Sequence, residues 1–157
     1  MPQVRTDFPF EVETIDPHWI VLNDGTRIAT TLWRPVTDKP VPVVVEMIPY
    51  RRRDGTVFRD LDVHPWWAGH GIATCRVDLR GSGDSDGFLT DEYTPLEQAD
   101  ACEIISQLAA QDWCNGNVGM TGISWGGLSA ATCRELKPPQ LMPVIPALPL
   151  HQSCAAR

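Results

Sequence analysis

The group best suited to chemistry in this 157-residue chain is a serine set among glycines, Gly122-Ile123-Ser124-Trp125-Gly126-Gly127. A strand-like segment, Val118 to Ile123, precedes it and a helix-forming segment follows. The pattern therefore predicts a sharp strand-to-helix turn with the Ser124 hydroxyl raised above a sheet. Gly122 and Gly126 leave such a turn free of side-chain clashes, and Gly127 extends that freedom. Ser124 in that setting is a candidate nucleophile for an acyl carbon. The backbone N–H of Trp125, reinforced by the helix N-terminus, would face the developing oxyanion. The alternative is a glycine-rich turn whose serine only caps the helix.

Two further clusters carry polar side chains. In Ile48-Pro49-Tyr50-Arg51-Arg52-Arg53-Asp54-Gly55-Thr56, Tyr50 directly follows an apolar strand, so its phenol could donate to an oxyanion at the same sheet edge as Ser124. Packing is the alternative for Tyr50, and a solvated loop paired with Asp54, Asp60 and Asp62 is the simple reading of the three arginines. Asp78-Leu79-Arg80-Gly81-Ser82-Gly83-Asp84-Ser85-Asp86-Gly87 is the other cluster. It is no dinucleotide loop, because Asp86 stands where the third glycine is needed and the next helix starts too far on. It also lacks the alternate carboxylates and closing Glu of a calcium loop. A structured loop, with Asp78 and Arg80 in local hydrogen bonds, is the favoured reading.

The elements that must hold these residues are legible in outline. Phe8 to Glu13, Trp19 to Leu22 and Ile28 to Trp33 read as short antiparallel strands, punctuated by Asp16-Pro17 and by the turn signal Asn23-Asp24-Gly25. Val43 to Ile48 is a nearly continuous apolar run that suits a strand buried on both faces, and Ile72 to Asp78 is a second one interrupted by Arg76. Asp62 to His70 reads as a helix with Pro65 in its first turn and Gly69 and Gly71 closing it. Thr94-Pro95-Leu96-Glu97 opens the clearest helix, as N-cap, first position and capping box, with Leu96, Ala101, Ile104, Ile105 and Leu108 on one apolar stripe. Alternating strands and helices predict a parallel α/β sheet whose strand ends carry the chemistry. Leu141 to Ile145 could add a short strand, but Lys137 to Leu150 holds five prolines and nothing after Pro146 reads as an element.

Composition sets limits on the partners. Thirteen Lys and Arg against twenty Asp and Glu leave a net charge of -7, which repels phosphate backbones and anionic lipid surfaces. No nucleic-acid or membrane partner is expected, no apolar run approaches the ~18 residues of a membrane helix, and a cytoplasmic location is the expectation. Cys75, Cys102, Cys114, Cys133 and Cys154 are irregularly spaced, as are His18, His64, His70 and His151. Neither set suggests a metal cage, and the cysteines read as free thiols. No metal or organic cofactor is expected.

Taken together, the segments resemble the CocE/NonD hydrolases, which share the X-prolyl dipeptidyl-peptidase (S15-type) catalytic domain. The matching pieces are Pro49-Tyr50-Arg51, Asp54-Gly55-Thr56, Val77 to Gly83, Asp91-Glu92-Tyr93, Trp113 to Gly116 and Val118 to Gly127. The resemblance runs from about Phe8 to Ile145. It implies the α/β-hydrolase fold, with antiparallel N-terminal strands leading into a mostly parallel sheet, and serine-dependent cleavage of a small ester or peptide. It also implies Ser124 as nucleophile, Tyr50 as the oxyanion side chain and Trp125 as the backbone donor. The Asp78 to Gly83 loop matches a family signature without an assignable chemical role.

Family members are several times longer and place the triad Asp and His well after the serine. Here Glu135 is the only acid after Ser124, and His151 lies in the proline-rich stretch. The expectation is therefore a catalytic-domain portion over 1–145, truncated after the nucleophile turn, with a non-matching tail over 146–157 that a frameshift would explain. Such a fragment is expected to be inactive alone unless a partner chain supplies the remaining triad. The competing readings are a non-catalytic interaction module and a small esterase built on a Glu135/His151 pair.

Overall fold

The computed structural model describes residues 7–147. Its elements are β1 (Val12–Val21), β2 (Arg27–Pro35), β3 (Val41–Ile48), α1 (Val57–Gly69), β4 (Ala73–Asp78), α2 (Pro95–Ala109), β5 (Cys114–Ile123), α3 (Trp125–Glu135) and β6 (Leu141–Ala147). All six strands share one sheet in the order β1-β2-β4-β3-β5-β6. β1 pairs antiparallel with β2, and β2 antiparallel with β4, whereas β4, β3, β5 and β6 run parallel. The chain steps from β3 to β4 through α1, then returns past β3 to β5 through α2. That reversal opens the loops at the carboxyl ends of β3 and β5 side by side, which is where an open α/β sheet places its chemistry.

The two faces of the sheet differ in kind. Strand side chains alternate, so Val43, Val45 and Met47 of β3, and Ala73, Cys75 and Val77 of β4, point to one face. There they join Ala101, Ile104, Ile105 and Leu108 of α2, and Ala130 and Cys133 of α3, in the apolar core. The opposite face, under α1, is polar and buried. Arg76 Nε donates to Asp60 Oδ2 at 3.0 Å, Arg59 bridges Glu46 and Asp60 at 2.7 and 2.6 Å, and the His64 ring stacks 4.7 Å from Trp33. Arg76 therefore does not interrupt an apolar strand: it occupies the face that β4 turns toward α1.

Several boundaries differ from the sequence reading. The first two expected strands merge into β1, which passes through a cis Asp16–Pro17 peptide and shifts register between Ile15 and His18. Helix α1 starts at Val57, not Asp62, so Pro65 sits in its interior. β5 begins at Cys114, four residues before the strand-like segment read from Val118 to Ile123. Leu96 is half exposed and lies off the apolar stripe formed by Ala101, Ile104, Ile105 and Leu108, and Glu97 is the buried side chain of that first turn. The turn at Asn23 to Gly25 forms as read, with Gly25 at φ +86° and its N–H donating to Leu22 O. β6 forms too and extends to Ala147, pairing with β5 through Gly122–Pro146 and Ile123–Ala147. The rest of the tail, with His151 and Cys154, lies outside the described residues.

Candidate active site

Ser124 is the single residue between β5 and α3, and its backbone sits at φ +57°, ψ −117°. A residue with a Cβ adopts that left-handed region only when the surrounding chain enforces it. The enforcement comes from the flanking glycines. A Cβ on Gly122 would overlap the backbone of Gly126, and one on Gly126 would overlap the Ile48 side chain and crowd Met47 O. The first turn of α3 thus lies directly against the end of β3. The Ser124 side chain is exposed and makes no capping bond to α3, so the capping alternative does not describe it.

The parallel register of β3 and β5 aligns Glu46 with Thr121. Continued along both strands, it brings Pro49 and Tyr50 to the edge from which Ser124 projects. Tyr50 is 43% exposed and follows the end of β3 by two residues. Its loop is held from below by the Asp78 to Gly87 segment. Ser82 Oγ donates to Pro49 O at 2.8 Å, and Arg52 N donates to Asp78 Oδ1 at 2.7 Å. Gly83, at φ +57°, lies so close to the Asp78 carboxylate that a Cβ would strike it. The signature loop therefore has a mechanical role, anchoring the turn that carries Tyr50.

The simple reading of the three arginines needs correction. Arg51 pairs with Asp54 on the surface, but Arg52 is 4% exposed and reaches Asp16, Asp78 and Asp84. Asp60 pairs instead with Arg59 and Arg76. Arg80 likewise looks beyond its loop. It forks onto Asp100 of α2 at 2.7 and 2.8 Å, and this pair raises its already high pKa.

Trp125 opens α3, so its N–H has no acceptor within the helix. Its indole Nε1 donates to Glu97 Oε1 at 3.1 Å, and its ring packs on Tyr93 with centroids 5.1 Å apart. Glu97 is the residue whose importance the sequence understated. Thr94 Oγ1 accepts from Glu97 N as expected, but Glu97 Oε2 accepts from Tyr93 N rather than from Thr94 N. Glu97 Oε1 also accepts from Ser129 Oγ at 2.6 Å. One carboxylate thus ties the start of α2 to the first two turns of α3. Tyr93, at φ +54°, has its phenol pushed above its usual range by burial and then by Glu92, Glu97 and Tyr50. A glutamate at the third position of a helix signals a capping box and nothing more, so no sequence cue pointed to α3.

The histidines of the described residues are engaged elsewhere. His18 lies on β1, four strand positions and roughly 19 Å from β5. His64 faces Glu46 beneath α1, and His70 packs on Trp66 and Phe8. Glu135 closes α3, about 16 Å along the helix from Ser124, which separates it from the nucleophile turn and removes the Glu135/His151 reading. One group among the described residues has metal-ligand geometry: Glu46, Asp60 and His64. Arg59 and Arg76 already neutralise its two carboxylates.

Residues 24–155 match the X-Pro dipeptidyl-peptidase (S15) family.
The chain belongs to that family.
A curated relative, cocaine esterase of Rhodococcus sp. (strain MB1 Bresler), is 35% identical over 114 residues, covering 70% of this chain and 19% of the esterase. A CocE/NonD family hydrolase from Staphylococcus aureus superposes with a TM-score of 0.74 at 26% identity, over 85% of this chain and 27% of the other. Est1E from Butyrivibrio proteoclasticus, solved with ferulic acid, superposes with a TM-score of 0.68 at 21% identity, over 82% of this chain and 51% of the other, a likeness of fold. The sheet is accordingly that of an α/β hydrolase. The chain spans about a fifth of the curated esterase it matches. No helix among the described residues is long and apolar enough to cross a membrane.

Proposed function

We propose that this chain carries the nucleophile and oxyanion half of a serine hydrolase acting on a small ester or peptide. The observation that carries the reading is the Ser124 backbone at φ +57°, ψ −117° with an exposed, non-capping hydroxyl beside the unpaired start of α3. In the proposed reaction a histidine base takes the Ser124 proton as Oγ attacks the acyl carbon. Tyr50 and the Trp125 N–H stabilise the oxyanion, and water later releases the acyl group. The base and its carboxylate come from outside residues 7–147, on further chain or on a partner. Cocaine esterase and the CocE/NonD relatives support an ester or amide substrate and leave its acyl group open.

The test uses p-nitrophenyl acetate and a fluorophosphonate probe on the 157-residue chain. Ester turnover should match buffer, because serine without a base is a weak nucleophile. The probe should label Ser124 slowly and stoichiometrically. Labelling should vanish in Ser124→Ala and slow by roughly 10²-fold in Tyr50→Phe, the usual cost of one oxyanion donor. Labelling that persists in Ser124→Ala would remove the nucleophile assignment. Sustained turnover lost in Ser124→Ala would remove the requirement for an outside base.

A further inference from the structure

Cys102 of α2 and Cys133 of α3 meet across the helix–helix contact with their sulfurs 3.7 Å apart. They are 31 positions apart in sequence, and their spacing gave no hint of a pair. Cys133 is fully buried, whereas Cys102 is partly exposed at the rim of the contact. Cys75 and Cys114 lie elsewhere in the sheet, on β4 and β5. The pair lies on the same interface as the Glu97 carboxylate. Cys102 is five residues beyond Glu97 in α2, and Cys133 is four beyond Ser129 in α3.

We propose that Cys102 and Cys133 form a peroxide-responsive thiol pair whose disulfide staples α2 to α3. The Cys102 thiolate attacks one oxygen of a hydroperoxide, giving a sulfenic acid and releasing hydroxide or alkoxide, which takes up a proton. The Cys133 sulfur then attacks the Cys102 sulfur, the S–S bond forms and the S–O bond breaks. The leaving hydroxide takes the Cys133 proton as water. Two thiols and one hydrogen peroxide thus yield one disulfide and two waters. The sulfurs must close from 3.7 Å to about 2.05 Å. Cys102 is the partly exposed member of the pair, so peroxide reaches it first, and the fully buried Cys133 resolves the sulfenic acid. The staple bears on the element that opens with Ser124 and Trp125, and it stands whether or not Ser124 proves to be the nucleophile.

The experiment is hydrogen peroxide treatment of the native 157-residue chain, then quenching and maleimide labelling in denaturant, with intact-mass and peptide mapping. The expected product has lost about 2 Da before labelling and yields a crosslinked peptide joining Cys102 to Cys133. Cys75, fully buried with its thiol pushed up to about 12, should stay unlabelled by maleimide added before denaturation, which verifies the fold in the same sample. Cys133→Ser should instead leave Cys102 as a sulfenic acid trapped by dimedone. The proposal is overturned if native protein gives both thiols free, a different dominant pair, or Cys102 carried on to sulfinic acid without a crosslink.

Discussion

Replacing Glu97 tests whether one carboxylate joins α2 to the nucleophile turn. Its three donors are Tyr93 N at 3.0 Å, Trp125 Nε1 at 3.1 Å and Ser129 Oγ at 2.6 Å, and the residue is 8% exposed. Hydrogen bonds to a charged group are worth about 1.5–3 kcal/mol each, and an orphaned buried donor costs about 1–3 kcal/mol. The full sum does not apply to Glu97→Leu. The Ser129 hydroxyl can rotate onto the carbonyl one turn back, and Tyr93, half buried, can reach water. The partly buried Trp125 indole then loses its charged acceptor, and the expected loss is about 1.5–3 kcal/mol. Glu97→Gln keeps one acceptor oxygen but turns an NH2 group toward the other donors, for an expected loss of about 1–2 kcal/mol. Urea unfolding of the 157-residue chain measures both. A double-mutant cycle of Glu97→Gln with Trp125→Phe should give a coupling of about 1 kcal/mol. Additivity within about 0.3 kcal/mol, or Glu97→Leu as stable as the parent, would refute the link.

Arg52→Met strands the buried Asp78 carboxylate and should cost about 3–5 kcal/mol in urea unfolding, whereas breaking the exposed Arg51–Asp54 pair with Arg51→Ala should cost less than about 1 kcal/mol. Alkaline stability should follow the buried thiols. Burial raises Cys75 and Cys133 from 9.0 to about 12, so the unfolded chain ionises first. Their contribution is complete below pH 9 and is lost as pH rises toward 12. Unfolding followed by circular dichroism from pH 8 upward should show a loss that Cys75→Ala reduces; pH-independent stability across that window would contradict the burial argument.

What could be read in advance was local. Gly25 and the Asn-Asp-Gly turn, the Thr94 cap and the Gly-x-Ser-x-Gly turn each depend on residue types within a few positions, and each formed. Where the local reading failed, a distant contact had decided the outcome. Pro65 lies inside α1 because the helix starts at Val57 and packs across β2 and β4, and the Asp16–Pro17 step is absorbed into β1 because β2 pairs with the residues on both sides of it. Arg52 drew a surface reading from its arginine neighbours, yet Asp16, Asp78 and Asp84 converge on it from β1, the end of β4 and the loop that follows.

The sequence alone determined the chemistry on offer at the turn: a serine forced out of ordinary backbone geometry by glycines that no larger residue could replace. The Gly122 part of that outcome is local, since its Cβ would strike the backbone of Gly126 within the same turn, whereas the need for glycine at 126 comes from Ile48 of β3. Only the tertiary structure decided what surrounds it. Glu97 meets Trp125 and Ser129, the 78–87 loop props Tyr50, and Cys102 faces Cys133. Those partners are 28 to 33 positions apart in the chain. Their meeting depends on how helices dock on a six-stranded sheet, and packing across elements has no period in the sequence from which to read it.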